Sequence, residues 1–241
     1  MPNPDAHIVP VDRLDLGLAP YRWRFAEDRR HDIAAHFVVR RSATPQLWNG
    51  RMLMMRDLAI AEGTLRGVFF EADFADFMAW RDWNCPGPDA NVVNCFSMGA
   101  LRTSDGAYLL GVMSDGTASA GHIYFPAGTP DLGDVRGNTV DLLGNVVREI
   151  AEETGLTAAD YTMKPGWHAV IAGSYVALMK PIDVPRPAEE VRDGMLRHLA
   201  REPQPELSDI RIVRSVADFD AKMPRVVTAY LSHVWGKKAS D

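Results

Sequence analysis

Glu149, Glu152 and Glu153 stand at spacings i, i+3 and i+4 directly after Arg148, and on a helix these spacings project side chains from neighbouring positions of one surface. Like charges so placed destabilise an isolated helix by roughly 0.2–0.5 kcal/mol per pair, so the arrangement favours a cation among them. Mg²⁺ suits the site: it takes oxygen ligands, keeps several waters, and is commonly held by a few carboxylates together with substrate phosphates. Mn²⁺ accepts the same ligands and can substitute. A solvated acidic helix face is the alternative for the same residues.

The element that must position these carboxylates is a helix over residues 141–154. Asp141 suits the N-cap. Leu143, Val146, Val147, Ile150 and Thr154 recur at helical spacing as the stripe expected to be buried, which puts the glutamates on the opposite face. Gly155 stands where a left-handed residue ends a helix, and Leu156 can fold back as its apolar contact. Gly144 inside the run costs about 1 kcal/mol relative to Ala, which points to close packing or to a later helix start.

The nine residues Arg148 to Leu156, R-E-I-A-E-E-T-G-L, resemble the second half of the Nudix box, Arg-Glu-apolar-x-Glu-Glu-x-Gly-apolar, at every specified position. The resemblance implies a Nudix hydrolase. The implied fold is α+β, a Nudix-like α/β/α sandwich with a mixed β-sheet over residues 90–241, and residues 1–89 form a β-rich N-terminal extension packed on it. The resemblance also implies divalent metal on Glu149, Glu152 and Glu153, and Arg148 as the organiser of that cluster. The implied reaction is water attack on a phosphorus of a nucleoside diphosphate derivative of the nucleotide-sugar, ADP-ribose or dinucleotide type. Glu152, Glu149 and Arg148 are then the catalytic residues, with Glu152 preferred as base, and Gly155 and Asp141 are structural supports. A catalytically idle Nudix-fold module that binds a nucleotide as a sensor is the rival from another class.

The first half of the box departs from the pattern. The family places a glycine 14 residues before the arginine and a glutamate 8 before it; here 148 − 14 gives Asp134 and 148 − 8 gives Val140. Phe125-Pro126-Ala127-Gly128 resembles the family's Pro-Gly-Gly strand end, and Gly128 lies 148 − 128 = 20 residues before Arg148, so an insertion of six residues is implied. Gly128 is the substrate-binding candidate of that strand end, and the box glutamate is expected to go unreplaced.

Other residues weigh less. Glu206 and Asp209 offer a base from a downstream loop or a plain turn. Trp167 and His168 offer a stacking surface for a nucleobase or core packing. His31 and His36, five apart, do not share a helix face well enough to bind metal and are expected at the surface. Arg22, Arg24, Arg29 and Arg30 read as a solvated face. The chain holds no Gly-x-Ser-x-Gly elbow, no Gly-x4-Gly-Lys loop and no Gly-x-Gly-x-x-Gly, which leaves serine hydrolases, phosphate-loop NTPases and Rossmann enzymes unsupported.

The remaining elements follow from patterning. Phe37 to Arg40, Arg51 to Ile60 and Leu65 to Phe70 read as a β-meander, and Asp73 caps a helix running to about Trp83. Pro86, Gly87 and Pro88 mark the best boundary, within Asn84 to Ala90. Val92 to Leu101 and Tyr108 to Met113 flank the T-S-D-G turn at 103–106, and His122 to Phe125 is a further strand before a loop to Val140. His168 to Lys180, broken at Gly173, is strand again. A helix from Ala188 to Arg201, a strand from Ile210 to Arg214 and a helix from Pro224 to Val234 complete the chain.

With 26 basic and 32 acidic residues, a net charge of −6, and no basic run, nucleic acid is not an expected partner. The same charge repels a phosphate substrate, which makes metal part of the reading. No secretory signal and no membrane span are read, and two cysteines, Cys85 and Cys95, read as reduced thiols. The expected setting is the cytoplasm and the expected partner a small-molecule nucleotide, with a homodimer left open beside a monomer.

Overall fold

The computed structural model describes residues 6–85 and 91–236. Strands begin earlier than the polar composition of the first 35 residues suggests. β1 (His7–Val11) and β2 (Arg13–Leu18) are separated only by Asp12. Leu14, Leu16 and Leu18 alternate with polar residues and glycine in β2, and Leu16 is buried, the period-two pattern of a strand with one covered face. α1 (Arg24–Asp28) and α2 (Arg30–Ala43) follow. The expected strand Phe37 to Arg40 lies inside α2, because no turn signal interrupts residues 30–43 and two β-branched residues do not outweigh a helix of that length. Val38 and Val39 are consequently exposed.

The expected hairpin is β3 (Arg51–Ala61) and β4 (Thr64–Asp73), and α3 (Phe74–Asp82) starts at a capping box of Asp73 and Asp76. Of the boundary expected at Asn84 to Ala90, residues 86–90 lie outside the described residues. Then come β5 (Asn94–Thr103), β6 (Tyr108–Met113), β7 (Ile123–Tyr124) and β8 (Ala127–Gly128). Between β5 and β6, Gly106 takes a φ of +85°, and its N–H donates to the Thr103 carbonyl at 2.9 Å. The loop expected from Pro126 to Val140 contains β8 and a small hairpin, β9 (Val135–Arg136) with β10 (Thr139–Val140). α4 (Leu142–Thr154), β11 (Thr162–Met163), β12 (Trp167–Ala172), β13 (Tyr175–Val184), α5 (Ala188–Leu199), β14 (Leu207–Val213) and α6 (Arg225–Gly236) complete the order.

Among the described residues the strands form two mixed sheets, which makes the class α+β. The larger runs β1-β12-β13-β5-β6-β14, with β13 parallel to β5; the smaller runs β3-β4-β2-β10-β9, with β2 parallel to β4. Leu142, Val146 and Ile150 of α4 and Val191 and Met195 of α5 pack in one core that also takes Leu53, Leu65 and Phe69 of the smaller sheet. Val226, Val227, Tyr230 and Leu231 of α6 pack in a second core with Met98, Ala100, Ala177 and Met179 of the larger sheet. The larger sheet is thus sandwiched between helices. A third core joins α2 and α3 to the far side of the smaller sheet through Ile33, Met54, Phe70 and Met78. Among the described residues no helix is long and apolar enough to cross a membrane.

Candidate active site

β5 and β6 pair only at Arg102 and Tyr108. Beyond that point they splay, and the opening is filled by β8, which pairs Ser97 with Gly128, and by β7, which pairs with β6 at Gly111 and Val112. A cavity of about 780 Å³ opens at this splay. One part of its wall carries Arg148, Glu149, Glu152 and Glu206 together with Ala127 and Gly128.

α4 delivers the acidic residues. The Asp141 carboxylate accepts the Gly144 N–H at 2.9 Å, the expected N-cap, and Gly155 ends the helix at φ +72°. Its faces are set differently from the apolar pattern. Leu143 and Val147 are exposed, whereas Leu142, Asn145, Val146, Glu149, Ile150 and Glu153 are buried. The inward stripe therefore includes two of the three glutamates.

Burial governs their electrostatics. Desolvation pushes the Glu149 carboxyl up to about 7, against the attraction of Arg148 and with the repulsion of Glu152 and Glu206. Glu153 is held well above the ordinary carboxylate range, first by burial and then by the charges of Glu149 and Glu206. Its Oε2 accepts the Ala127 N–H at 3.2 Å, while Oε1 is buried without a hydrogen-bond partner. An unpartnered carboxylate oxygen is the costly case of burial. Glu152 is 60% exposed at its side chain and turns onto Arg148. Among the described residues no three His, Cys, Asp or Glu side chains are disposed as a ready-made metal cage.

Arg148 organises the cluster through contacts on three sides. Nη1 lies 2.8 Å from Glu149 and 3.0 Å from Glu152, and Nη2 lies 3.4 Å from Asp134. Asp134 is buried in a single helical turn between β8 and β9, and its Oδ2 accepts Asn145 Nδ2 at 2.9 Å. The Asn145 Oδ1 in turn accepts Ser97 Oγ at 2.7 Å. The line Ser97, Asn145, Asp134, Arg148 ties the guanidinium to the sheet. Val140, at the position of the box glutamate, is buried in the core, and Asp134 supplies a buried carboxylate to Arg148. Asn145 and Ser97 escaped the sequence reading; the signal for Asn145 was a polar residue three after Leu142 and four before Glu149, on one helix face.

Gly128 also meets the cluster, because a Cβ there would overlap Glu149 Oε1. The glycine thus makes room for a carboxylate. Of the downstream pair, Glu206 lines the cavity, whereas Asp209 holds Arg192 at 2.8 Å. Trp167 is buried in the core with Lys180 Nζ 5.0 Å from its ring centroid and does not line the cavity, so the stacking candidate falls to core packing. His168 lies with its ring 5.6 Å from Tyr230 on the α6 side. His36 is not a plain surface residue: it contacts Asp82 at 2.9 Å and packs on Trp83, while His31 is exposed.

No family model and no curated protein matches the chain. Solved structures do. The chain is similar to a Nudix hydrolase from M. smegmatis, RenU, at 19% identity over 61% of this chain and 84% of that one, with a TM-score of 0.39. It is similar to a Nudix hydrolase from Nitrosomonas europaea at 16% identity over 76% and 87%, with a TM-score of 0.40. A MutT protein from Methanosarcina mazei Go1 aligns at 15% identity over 62% and 96%, with a TM-score of 0.39. At these identities and TM-scores the functional reading rests on the residues of the site itself.

Proposed function

We propose that the protein is a Mg²⁺-dependent pyrophosphohydrolase that cleaves the diphosphate linkage of a nucleoside diphosphate derivative. The observation that carries this is the buried pair Glu149 and Glu153, with one Glu153 oxygen unpartnered, beside a cavity that Glu149 lines together with Glu152 and Glu206. The match of Arg148 to Leu156 with the second half of the Nudix box supports the same reading. The donor set fits a hard cation: the groups are carboxylates, and the buried Glu153 has an oxygen without a hydrogen-bond partner.

Glu149, Glu152 and Glu153 would hold Mg²⁺, with Mn²⁺ accepted in its place. Bound there, the ion supplies neutralisation of the diphosphate and lowers the pKa of the attacking water. Arg148, tied through Asp134, keeps Glu149 and Glu152 within its reach in one arrangement. Glu152, the exposed member of the cluster, takes the proton of the attacking water. Gly128 leaves its Cβ position to Glu149, which lets backbone and carboxylate approach from two sides.

The test is a panel of dinucleotides and nucleotide sugars with purified protein and Mg²⁺, assayed for release of phosphorylated product. Turnover of at least one member is expected. Binding without release across the panel would replace the hydrolase by a nucleotide sensor.

A further inference from the structure

Along β5, Asn94, Phe96 and Met98 share one face, and all three line the cavity. Asn94 is 5% exposed, and its Oδ1 has no hydrogen-bond partner. Its neighbour across the parallel pair is Tyr175, half-buried on the same cavity wall. The Tyr175 ring packs on Trp80, with ring centroids 6.4 Å apart. Phe96 is half-buried, and Phe74 at the start of α3 adds a third half-buried ring to the lining. A buried acceptor without a donor, set among aromatic rings that keep a face to the cavity, matches a planar ring with N–H groups at its edge: the rings stack, and the edge satisfies the carboxamide.

We propose that Asn94, Phe96, Tyr175 and Phe74 form the nucleobase subsite, in which Asn94 Oδ1 accepts an N–H from the base edge. The inference rests on the reading of the cavity as the site of a nucleoside diphosphate derivative and names where its base goes. The spacing agrees. Gly128, beside Glu149, pairs with Ser97, three residues along the strand from Asn94; at about 3.3 Å per residue that is about 10 Å, which leaves room for a sugar between base and diphosphate. Part of the subsite comes from residues before the 86–90 segment, since Phe74 belongs to the smaller sheet's helix, so the extension takes part in recognition.

The experiment is calorimetric titration of metal-free protein, in which hydrolysis does not interfere, with ADP, GDP, CDP and UDP and with inorganic pyrophosphate. At least one nucleotide is expected to bind about 10-fold more tightly than pyrophosphate, the scale of one stacked base. Asn94→Ala and Phe96→Leu should each reduce that ratio of affinities severalfold, and Phe96→Leu keeps the apolar volume should Asn94→Ala fail to fold. Four nucleotides that bind no better than pyrophosphate overturn the proposal, as does a ratio that neither variant changes. A ratio that behaves as expected in a protein without turnover on any substrate leaves the base subsite standing and removes only the hydrolytic reading.

Discussion

Asp134 and Arg148 stand 3.4 Å apart, a carboxylate whose side chain is 4% exposed against a guanidinium that also reaches Glu149 and Glu152. Asp134→Asn keeps the shape and removes the charge that holds Arg148. Partners that orient first-contact groups at metal sites typically carry about 10–100-fold in activity or metal affinity. Turnover should fall by about that much, and the Mg²⁺ concentration for half-maximal rate should rise. A purely structural role would lower thermal stability and leave the Mg²⁺ dependence where it was.

Replacing Glu152 or Glu153 with Gln should lower turnover by at least about 100-fold with the fold retained. Circular dichroism and steady-state rates check both halves of the statement. Wild-type rates in either variant would remove these residues from the metal site.

Chelator should abolish activity, and either Mg²⁺ or Mn²⁺ should restore it. Unfolding temperature should change little on chelation, because the three cores are built from apolar side chains and none includes a carboxylate. Full activity in excess chelator would contradict the assignment.

Glu149 gives a pH signature. Its folded pKa is raised from 4.5 to about 7, so between those values the folded state holds a proton that the unfolded state has lost. Stability from this group is therefore present below pH 4.5 and is lost as pH rises through about 7. Metal-free Glu149→Gln should resist denaturant better than the parent at pH 8, with the advantage shrinking toward pH 5. Denaturant midpoints at the two pH values measure it, and an equal difference at both would refute the raised pKa.

Asp141 caps α4 by accepting the Gly144 N–H at 2.9 Å. Asp141→Asn should keep most activity and stability, since Asn caps about as well. Asp141→Ala should cost about 1 kcal/mol in unfolding free energy, with activity kept at a temperature where the protein stays folded. A folded Asp141→Asn protein as inactive as Glu152→Gln would falsify the capping role.

Much of α4 was legible because its signals are local. A capping side chain, a glycine at the stop and a run of helix formers lie within 15 residues, and both ends fell where they pointed. The faces were not legible. Apolar periodicity placed Leu143 and Val147 inside, yet Asn145, Glu149 and Glu153 occupy the buried phase; a site that buries carboxylates violates the pattern by which burial is read. β1 and β2 escaped for another reason. Their partners lie far along the chain, β1 pairing His7 with Ile171, and a five-residue strand is specified by what it docks against more than by its own propensity. Asp134 was noticed only as a mismatch, because nothing in its neighbours announces that a loop will carry it to Arg148.

The single residue between β1 and β2 has a consequence during synthesis. β1 docks on β12 and β2 on β4, so the two ends of one short N-terminal stretch wait for very different lengths of chain. β2 can find its partner once residue 69 is made, but β1 must wait for residue 171, roughly 100 residues later, which is about 5–20 s at ribosomal rates of 5–20 residues per second. During that interval the nascent chain presents an unpaired strand edge next to a sheet that is already forming, the kind of edge that recruits wrong partners. The isolated proline of β1, Pro10, has no N–H to offer such a partner, and it interrupts the ladder at the one strand that is left open longest.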